Sequence, residues 1–494
     1  MTDADQGPGS AGPTREPGLN LGTDEWVARH GERTAGPHGW ADRVSASWSH
    51  LPAWLRWGAP VLALAALPLL TDSAYVVRIG VNLGLFAMLA LGLNLVVGYA
   101  GLLDLGYVAF YGFGAYAYVM LSSDKFGLHL PTLVTIPIVV ALASALGLML
   151  GLSSRRLLGD YLAIVTLFFG QLFVELVLSA DAFQLPWSDE PADITGGANG
   201  LSGADPFSFF GVTFTSNAHY YYLLLVTVAV LTIAIYRINA SRVGRAWRAI
   251  GEDALAAEAM TIPVKRLKIL AFVVGAGLAG MTGTIFAAVQ LGAYPTNFDL
   301  PLLILLYAAV ILGGSGSLHG ALVGAAVMSV MPELLRAPAW GEALFFTVLV
   351  LGLVLALRRW RLVLAVGAGV VVVGYLVNAV LLGLDVAYLP ASAWTQGPLS
   401  EALGRWLFVP EDRVVWGNVG FVLLVAGTAI LTLLERRHRL LLLPVVVWLA
   451  IFVWEVRLVV DASITRQLII GALLIVLMVA RPQGIFGKPR VEVL

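Results

Sequence analysis

The residues of this sequence that could do chemistry are a few polar side chains inside long apolar runs. Asp104 lies in the glycine-rich stretch 93–118, and Thr166 and Glu175 lie in the apolar run 159–180. If these runs cross a membrane, a carboxylate within them is costly and is by default a functional group. Asp104 has a second interpretation, as the N-cap of the helix that follows it, where it would accept hydrogen bonds from free backbone N–H groups. The sequence leaves both interpretations open.

The polar neighbours of these groups also allow more than one interpretation. Gln171 and Glu175 are four residues apart, so they share one face of a helix, and we expect that face to point to the bundle interior or to a water-filled cavity. A structural hydrogen bond between helices explains the pair equally well. Four tyrosines near Asp104 are interpreted for the most part as anchors at the membrane interface rather than as ligands: Tyr107, Tyr111, Tyr116 and Tyr118.

A second kind of site is the basic segment 242–268, which separates two long apolar runs. It carries six cations: Arg242, Arg245, Arg248, Lys265, Arg266 and Lys268. Short basic loops stay on the cytoplasmic side of a bilayer, so this segment is predicted to face the cytosol.

The middle of the basic segment predicts a short amphipathic helix. The run 252–262 is mostly helix formers and ends at Pro263, and Glu252 and Asp253 suit a helix N-terminus. Its apolar stripe has helical spacing: Leu255, Ala259 and Ile262. Such a helix in a cytosolic loop indicates a surface on which it lies, either the bilayer or a partner protein. The alternative is an ordinary solvated loop.

Motifs for catalysis are missing from the sequence. It contains no phosphate-binding GxxxxGK[ST] loop, no His/Glu zinc pattern and no serine elbow. With no cysteine, disulfides, thiol catalysis and Cys-ligated metals are excluded. We therefore expect no catalytic residue, no metal and no cofactor, so that any ATP used is hydrolysed by another polypeptide.

Composition places the chain among polytopic membrane proteins. Of 494 residues, 59% are hydrophobic and only 12% are charged, about half the charged fraction of a soluble domain. Apolar runs long enough to cross a bilayer predict about 14 spans, near 55–70, 76–98, 104–121, 131–152, 161–180, 219–238, 267–290, 300–315, 318–336, 342–357, 361–383, 417–434, 440–455 and 467–480. The expected fold class is an all-α polytopic membrane protein, a multi-span transmembrane helix bundle. The net charge of −1 argues against a nucleic-acid partner.

Alternation of the spans sorts the basic residues to one side. The clusters predicted to be cytoplasmic are 155–156, 242–268, 358–361, 436–439 and 481–490. The longest external loops are then 181–218 and 384–416. Residues 1–50 are polar and rich in Gly and Pro, which predicts a mostly disordered cytoplasmic tail.

A series of motifs follows in fixed order along two parts of the chain. They are GYAGLLDLGYVAFYGFGAY, GDYLAIVTL, ITGGANGL, GRAWRAIGEDALAAEAMTIPVKRLKILAFVVGAGLAGMTGTIFA, GGSGSLHGALVGA, PELLR and RPQGIFG. As a set they resemble the LivM-type membrane permease subunit of the bacterial branched-chain amino acid ABC transporter family. The resemblance covers roughly residues 75–340 and 464–488.

This resemblance implies an importer subunit in the bacterial cytoplasmic (inner) membrane that moves branched-chain or related hydrophobic amino acids. Its implied partners are two cytosolic ABC ATPase subunits, a second homologous permease, an extracytoplasmic substrate-binding protein and membrane lipid. It assigns the following residues to ATPase coupling: Glu252, Asp253, Leu255, Ala256, Ala257, Glu258, Ala259, Met260 and Ile262. For the substrate pathway we expect Asn94, Gly98, Gly101, Asp104, Thr166 and Glu175.

Two alternatives to this function stay open. Urea and short-amide importers use similar permeases, so the solute is not fixed by the resemblance. An ion-coupled secondary transporter is the alternative from another class, and it is kept open by the carboxylates of Asp104 and Glu175.

The sequence departs from the family pattern in three ways. Gln171 stands where many relatives carry Glu, and the polar N-terminal tail is longer than usual. Residues 341–463 are an insert with four apolar spans, so the bundle has ten spans in the family core and four inserted. The expected domains are the tail 1–50, a permease core 51–340 with its coupling loop 239–268, the insert, and a last span with a cytoplasmic C-terminus at 464–494.

Overall fold

The fold is known from a computed structural model. The residues it describes are 53–71, 73–153, 160–182, 193–209, 211–334, 338–357, 359–382, 406–407, 410–434, 436–458, 467, 471 and 484–487. The predicted tail 1–50 and most of both the external loop 384–416 and the last predicted span 467–480 lie outside the described residues.

Helices make up most of the described chain. In order they are Ala53–Leu70 (α1), Ala74–Leu93 (α2), Tyr107–Leu121 (α3), Thr132–Ser153 (α4), Asp160–Ser179 (α5), Asn217–Ala240 (α6), Arg242–Glu252 (α7), Ala254–Ala259 (α8), Val264–Gln290 (α9), Leu300–Gly313 (α10), Leu318–Leu334 (α11), Pro338–Leu357 (α12), Trp360–Leu382 (α13), Arg413–Leu433 (α14) and Arg436–Val453 (α15). Within the described residues, nine helices are long and apolar enough to cross a membrane, and shorter apolar helices accompany them. The predicted all-α polytopic fold class is confirmed.

Helix α1 is an apolar helix of 18 residues, most of which lies in the first of two units of the chain. The other described helices belong to a second unit, 67–494. The centre of that unit is α9, which packs against α2, α3 and α4. Small residues make this possible, because a Cβ at Gly283 would overlap the backbone of Tyr111 on α3.

In the part of the chain that the structure describes, four short strands lie in the loops at one end of the bundle. Leu201–Ser202 (β1) pairs with Gly292–Ala293 (β4), and Ser208–Phe209 (β2) pairs with Val212–Thr213 (β3), both antiparallel. Strand β4 follows α9, whereas β1 belongs to the long loop after α5. The pairing therefore joins two loops on the predicted external side.

The inserted helices form a second apolar core. Helix α13 packs on α12 and α15, and α14 packs on α15. Their core includes Val366, Val370, Trp448 and Phe452. A π-helical turn, Trp454–Leu458, extends α15 and contacts α14. These helices thus bury one another's apolar faces.

Candidate functional site

The centre of the candidate site is an interruption between α2 and α3, which we call the break, residues 94–106. Helix α2 widens into a π-helical turn at Asn94–Tyr99, and α3 begins only at Tyr107. Gly101 has φ +66°, a left-handed conformation that favours glycine. Such interruptions place backbone polar groups at membrane depth, which is tolerated only where they are buried in protein or line a cavity.

Asn94 fixes the break to the link between α10 and α11. Its Nδ2 donates to the carbonyl of Ser317 at 3.2 Å, and its Oδ1 accepts from the N–H of Gly316 at 2.8 Å. The side chain is completely buried. Gly98 lies against the same link, because a Cβ there would overlap the backbone of Gly316. Both residues are therefore engaged by the protein itself.

Asp104 lies in the second half of the break and is 1% exposed. Its Oδ1 accepts from the N–H of Gly106 at 3.0 Å, and its backbone carbonyl accepts from the hydroxyl of Tyr307 at 2.7 Å. Gly106, not Asp104, is the N-cap of α3, so the capping interpretation is corrected by two residues. The carboxylate holds the turn that leads into the helix.

Thr166 on α5 completes this part of the site. Its hydroxyl accepts from the N–H of Leu105 at 2.9 Å and donates to the carbonyl of Ala163 at 3.0 Å. Five of the six predicted pathway residues are thus brought together at the break: Asn94, Gly98, Gly101, Asp104 and Thr166. The sixth, Glu175, is not.

Glu175 and Gln171 lie on the exposed face of α5 in this chain. Of the two positions expected for this pair, the bundle interior was wrong, whereas the water-filled cavity stays a prediction. The inward face of α5 is taken by Phe169, Phe173 and Val177, which pack against the core at helical spacing. Gln171 and Glu175 lie outside this row of core-facing residues, so their side chains face away from the core.

A groove of about 510 Å³ runs between α5 and α10. Leu105 and Leu167 form one wall, and Leu303 and Tyr307 form the other. A smaller adjoining pocket is bordered by Gln171 and Asp299. The groove therefore offers an apolar surface with polar groups beside it, a combination that suits a solute with an apolar side chain and a polar head.

The predicted coupling helix is present but shorter than expected. Glu252 is the last residue of α7, and α8 covers only Ala254–Ala259. Asp253 is the N-cap, since its Oδ1 accepts from the N–H groups of Leu255 at 2.8 Å and Ala256 at 3.0 Å. The helix ends before Ile262 because Thr261 adopts φ +64°, which helical geometry excludes.

Helix α8 divides into a buried and an exposed face. Ala257 is 4% exposed and Ile262 packs against the core. Leu255 and Met260 are 78% and 76% exposed. The exposed face also includes Ala256, Glu258 and Ala259. The predicted stripe of Leu255, Ala259 and Ile262 is therefore wrong for Ile262, and the exposed apolar surface is centred on Leu255 and Met260.

The coupling segment 242–263 rests directly on the break. A Cβ at Gly101 would lie 2.8 Å from the Cα of Gly251, the next-to-last residue of α7. Trp247 is buried and its indole N–H donates to the carbonyl of Leu267 at 2.9 Å, which ties α7 to the start of α9. The exposed helix and the buried polar site are thus connected by backbone contact.

At the opposite end, charged side chains join the loops that hold the strands. His129 lies between two carboxylates, with Nε2 3.0 Å from Asp124 and Nδ1 2.7 Å from Asp205. The hydrogen bond and charge of Asp205, with a smaller effect of Asp124, raise the pKa of His129. Lys125 pairs with Asp193 at 2.7 Å, and that hydrogen bond lowers the pKa of the Asp193 carboxyl.

Sequence reasoning missed three residues of the site and misplaced the tyrosines. The signal for Tyr307 was a lone hydroxyl in the apolar run of α10, whereas Gly251 and Gly316 lie in motifs that were singled out but gave no sign of the contacts these glycines make. The four tyrosines interpreted as interface anchors are buried in the bundle: Tyr107, Tyr111, Tyr116 and Tyr118. They follow the break on a short helix surrounded by α9, α4 and α5, which leaves no membrane-facing side.

Comparison with known proteins gives a consistent picture. The family described as "Branched-chain amino acid transport system / permease component" matches residues 75–357, more than half of the chain. The match includes α12, which sequence reasoning assigned to the insert, although α12 packs with the inserted helices. No solved structure gives a significant match.

Individual relatives are permeases as well. The high-affinity branched-chain amino acid transport system permease protein LivM of Escherichia coli (strain K12) is 36% identical over 275 residues, 51% of this chain and 61% of LivM. LivH of Salmonella typhimurium (strain LT2) is 27% identical over 52% of this chain and 83% of LivH. The autoinducer 2 import system permease protein LsrC of Klebsiella pneumoniae is 30% identical over 28% of this chain and 43% of LsrC. The chain thus spans about 61% of the LivM relative, and it belongs to the family of branched-chain amino acid transport system permease components.

Proposed function

We propose that this chain is a transmembrane permease subunit of an ABC importer for branched-chain or related hydrophobic amino acids. Two partner ATPases hydrolyse the ATP, a second permease of the same family completes the passage, and an extracytoplasmic binding protein delivers the solute. The observation that carries this proposal is the exposed apolar face of α8 directly after α7, whose Gly251 contacts the break, since the two helices connect an outside surface to the buried polar site.

In this proposal, Leu255 and Met260 are the anchors that enter a groove on an ATPase, and Ala256, Glu258 and Ala259 form the low surface around them. Large apolar side chains surrounded by small residues suit close docking of a short helix. Glu252, Asp253, Ala257 and Ile262 act from within the coupling segment: Asp253 caps α8, and Ala257 is buried beneath it. A push on α8 therefore moves the whole segment.

The solute path follows the groove between α5 and α10. Its leucine walls suit a branched aliphatic side chain, while Gln171 and Asp299 beside it provide polar groups for the charged amino and carboxyl ends. Glu175 lies one helical turn beyond Gln171 on the same exposed face. The break, with Asp104 and Thr166, closes the path at the predicted cytoplasmic end.

A second candidate function is ion-coupled secondary transport, which the buried carboxylate of Asp104 favours. It differs from the first in needing no ATPase. The relative LsrC is an autoinducer 2 import permease, so proteins similar to this chain carry other solutes. The experiment must therefore identify both the solute that is carried and the energy source that drives its transport.

The deciding experiment reconstitutes the chain in proteoliposomes with its ATPases, second permease and binding protein. We expect leucine uptake that requires ATP and is unaffected by collapsing ion gradients. Urea in place of leucine tests the short-amide alternative. Leucine uptake by the chain alone under a proton or sodium gradient would instead establish the ion-coupled function.

A further inference from the structure

Two interruptions of the helices meet at the predicted cytoplasmic end. One is the π-helical turn of the break, and the other is the link 314–317 between α10 and α11. Asn94 joins them through a donor and an acceptor at once, to Ser317 and Gly316. Because Asn94 is fully buried, water cannot replace either hydrogen bond, and breaking them leaves polar groups unsatisfied.

Glycine contacts extend this junction in both directions. On one side, Gly101 lies against Gly251 of the coupling segment. On the other, a Cβ at Gly484 would lie 2.6 Å from the Cα of Gly314. The N–H groups of Ile485 and Phe486 donate to the carbonyls at the end of α10, both at 2.9 Å. Contacts between backbones have no side-chain rotamers to absorb a displacement, so movement of one member shifts the next.

We propose that Asn94 is a positioning residue, a latch that transmits movement of the coupling segment from the break to α10 and α11. This inference rests on the proposed function. It assigns Asn94 a mechanical part rather than contact with the solute, because both ends of its amide are already bound to the protein.

The chemistry of the latch explains the residue type. Only a side chain with a donor and an acceptor on one short stem satisfies Gly316 and Ser317 together. Aspartate lacks the donor and would direct a carboxylate oxygen at the Ser317 carbonyl. Glutamine keeps both groups but displaces them by one methylene, and alanine lacks both.

The test uses the complete reconstituted transporter with variants N94A, N94D and N94Q. Leucine uptake, ATP hydrolysis and the amount of assembled complex are measured in parallel. We expect uptake per ATP to fall about tenfold or more in N94A and N94D, since two buried hydrogen bonds are lost. ATP hydrolysis and the KM for leucine stay near their original values, and N94Q is intermediate. The matched control is N82A, on the exposed side of the same helix, which keeps normal coupling.

Two results overturn the latch. If uptake and ATP hydrolysis fall by the same factor, Asn94 only supports the fold; if KM rises while the maximal rate is kept, it binds the solute. Should N94A fail to assemble, N94Q decides by the same criteria. Absence of ATP-driven uptake in the unaltered complex contradicts the proposed function itself and is distinguished from these outcomes by that control.

Discussion

The permease core and the inserted helices are packed in different ways. In the core, α9 approaches α3 so closely that Gly114 and Gly283 leave no space for a Cβ. In the insert, a Cβ at Gly352 or Gly367 would meet nothing within 4 Å. The insert is held instead by side chains, such as the stacked rings of Phe345 and Trp454, whose centroids are 4.3 Å apart. Backbone contact fixes geometry, whereas side-chain packing tolerates adjustment.

The difference in packing corresponds to different proposed roles for the core and the insert. In the proposed mechanism the break, the coupling segment and the link move together, and all of them meet through glycines. The close glycine contacts of the insert are mostly with side chains: Gly369 with Pro444, Gly374 with Trp406, Gly420 with Phe452 and Gly427 with Val446.

The largest effect is expected from filling a core glycine. G283A forces a methyl group into the backbone of Tyr111, so we expect a loss of stability of about 1–3 kcal/mol or more and little assembled protein. G367A is the matched control in the insert, and it should be neutral or slightly stabilising because alanine favours helix. Thermal unfolding of both variants in detergent measures the difference. If G283A and G367A changed the unfolding temperature equally, the proposed difference in packing between core and insert would be wrong.

The next largest effect is expected on the coupling surface. L255A/M260A removes the two exposed anchors of α8 and should lower uptake about tenfold or more, with assembly in the membrane unchanged. W360A truncates an apolar side chain of similar exposure at the start of α13, within the insert, and should leave uptake intact. Uptake assays normalised to the amount of membrane-inserted protein test both. If W360A were as harmful as the double variant, the coupling role of α8 would be lost. Ala257 is unsuitable for this test because it is buried and its replacement disturbs the fold.

A smaller effect is expected when the insert is removed. Deleting residues 341–463 takes out an even number of predicted spans, so the predicted side of the C-terminus is kept. Since the inserted helices have their own core, uptake per assembled complex should stay within about twofold of the full chain. Leucine uptake by the shortened complex is the measurement. A complete loss of uptake would show that the insert belongs to the transport machinery.

The smallest effect is expected at the external loops. His129 donates from both ring nitrogens only when protonated, and the neighbouring Asp205 raises its pKa above the ordinary value of 6.5. A raised pKa in the folded state means that the stabilisation is complete below pH 6.5 and is lost as the pH rises through the folded-state pKa. H129N, which tolerates the positive φ of 39°, should therefore lower Tm at pH 5.5 but not at about pH 9. An equal change of Tm at both pH values would show that protonated His129 does not stabilise the fold through Asp124 and Asp205.

Much of the fold could be predicted because apolar length and basic loops are read directly from the sequence. The described helices reproduce the predicted spans up to 440–455, and the break, the coupling helix and the link all fall in motifs that the sequence singled out. Polar residues inside apolar runs were also expected to have buried partners, and Asn94, Asp104 and Thr166 have them, while their part in the solute path stays a prediction.

What escaped prediction depends on packing between distant segments. The direction of Gln171 and Glu175 is set by the aromatic row of α5, and helical spacing alone does not say which face turns inward. The start of α8 at Ala254 follows from the cap made by Asp253, which separates it from α7. The contact of Gly101 with Gly251 joins residues 150 positions apart, and a glycine carries no side-chain pattern from which to infer it.

The most direct test of the account asks what covers α8 in the membrane. A photo-crosslinking amino acid at Met260, 76% exposed, should capture an ATPase subunit in membranes that contain the complete transporter. The same group at Trp360, 69% exposed, should not. Capture of lipid alone at Met260, or equal capture of the ATPase at both positions, would contradict the claim that this short helix receives the force for transport.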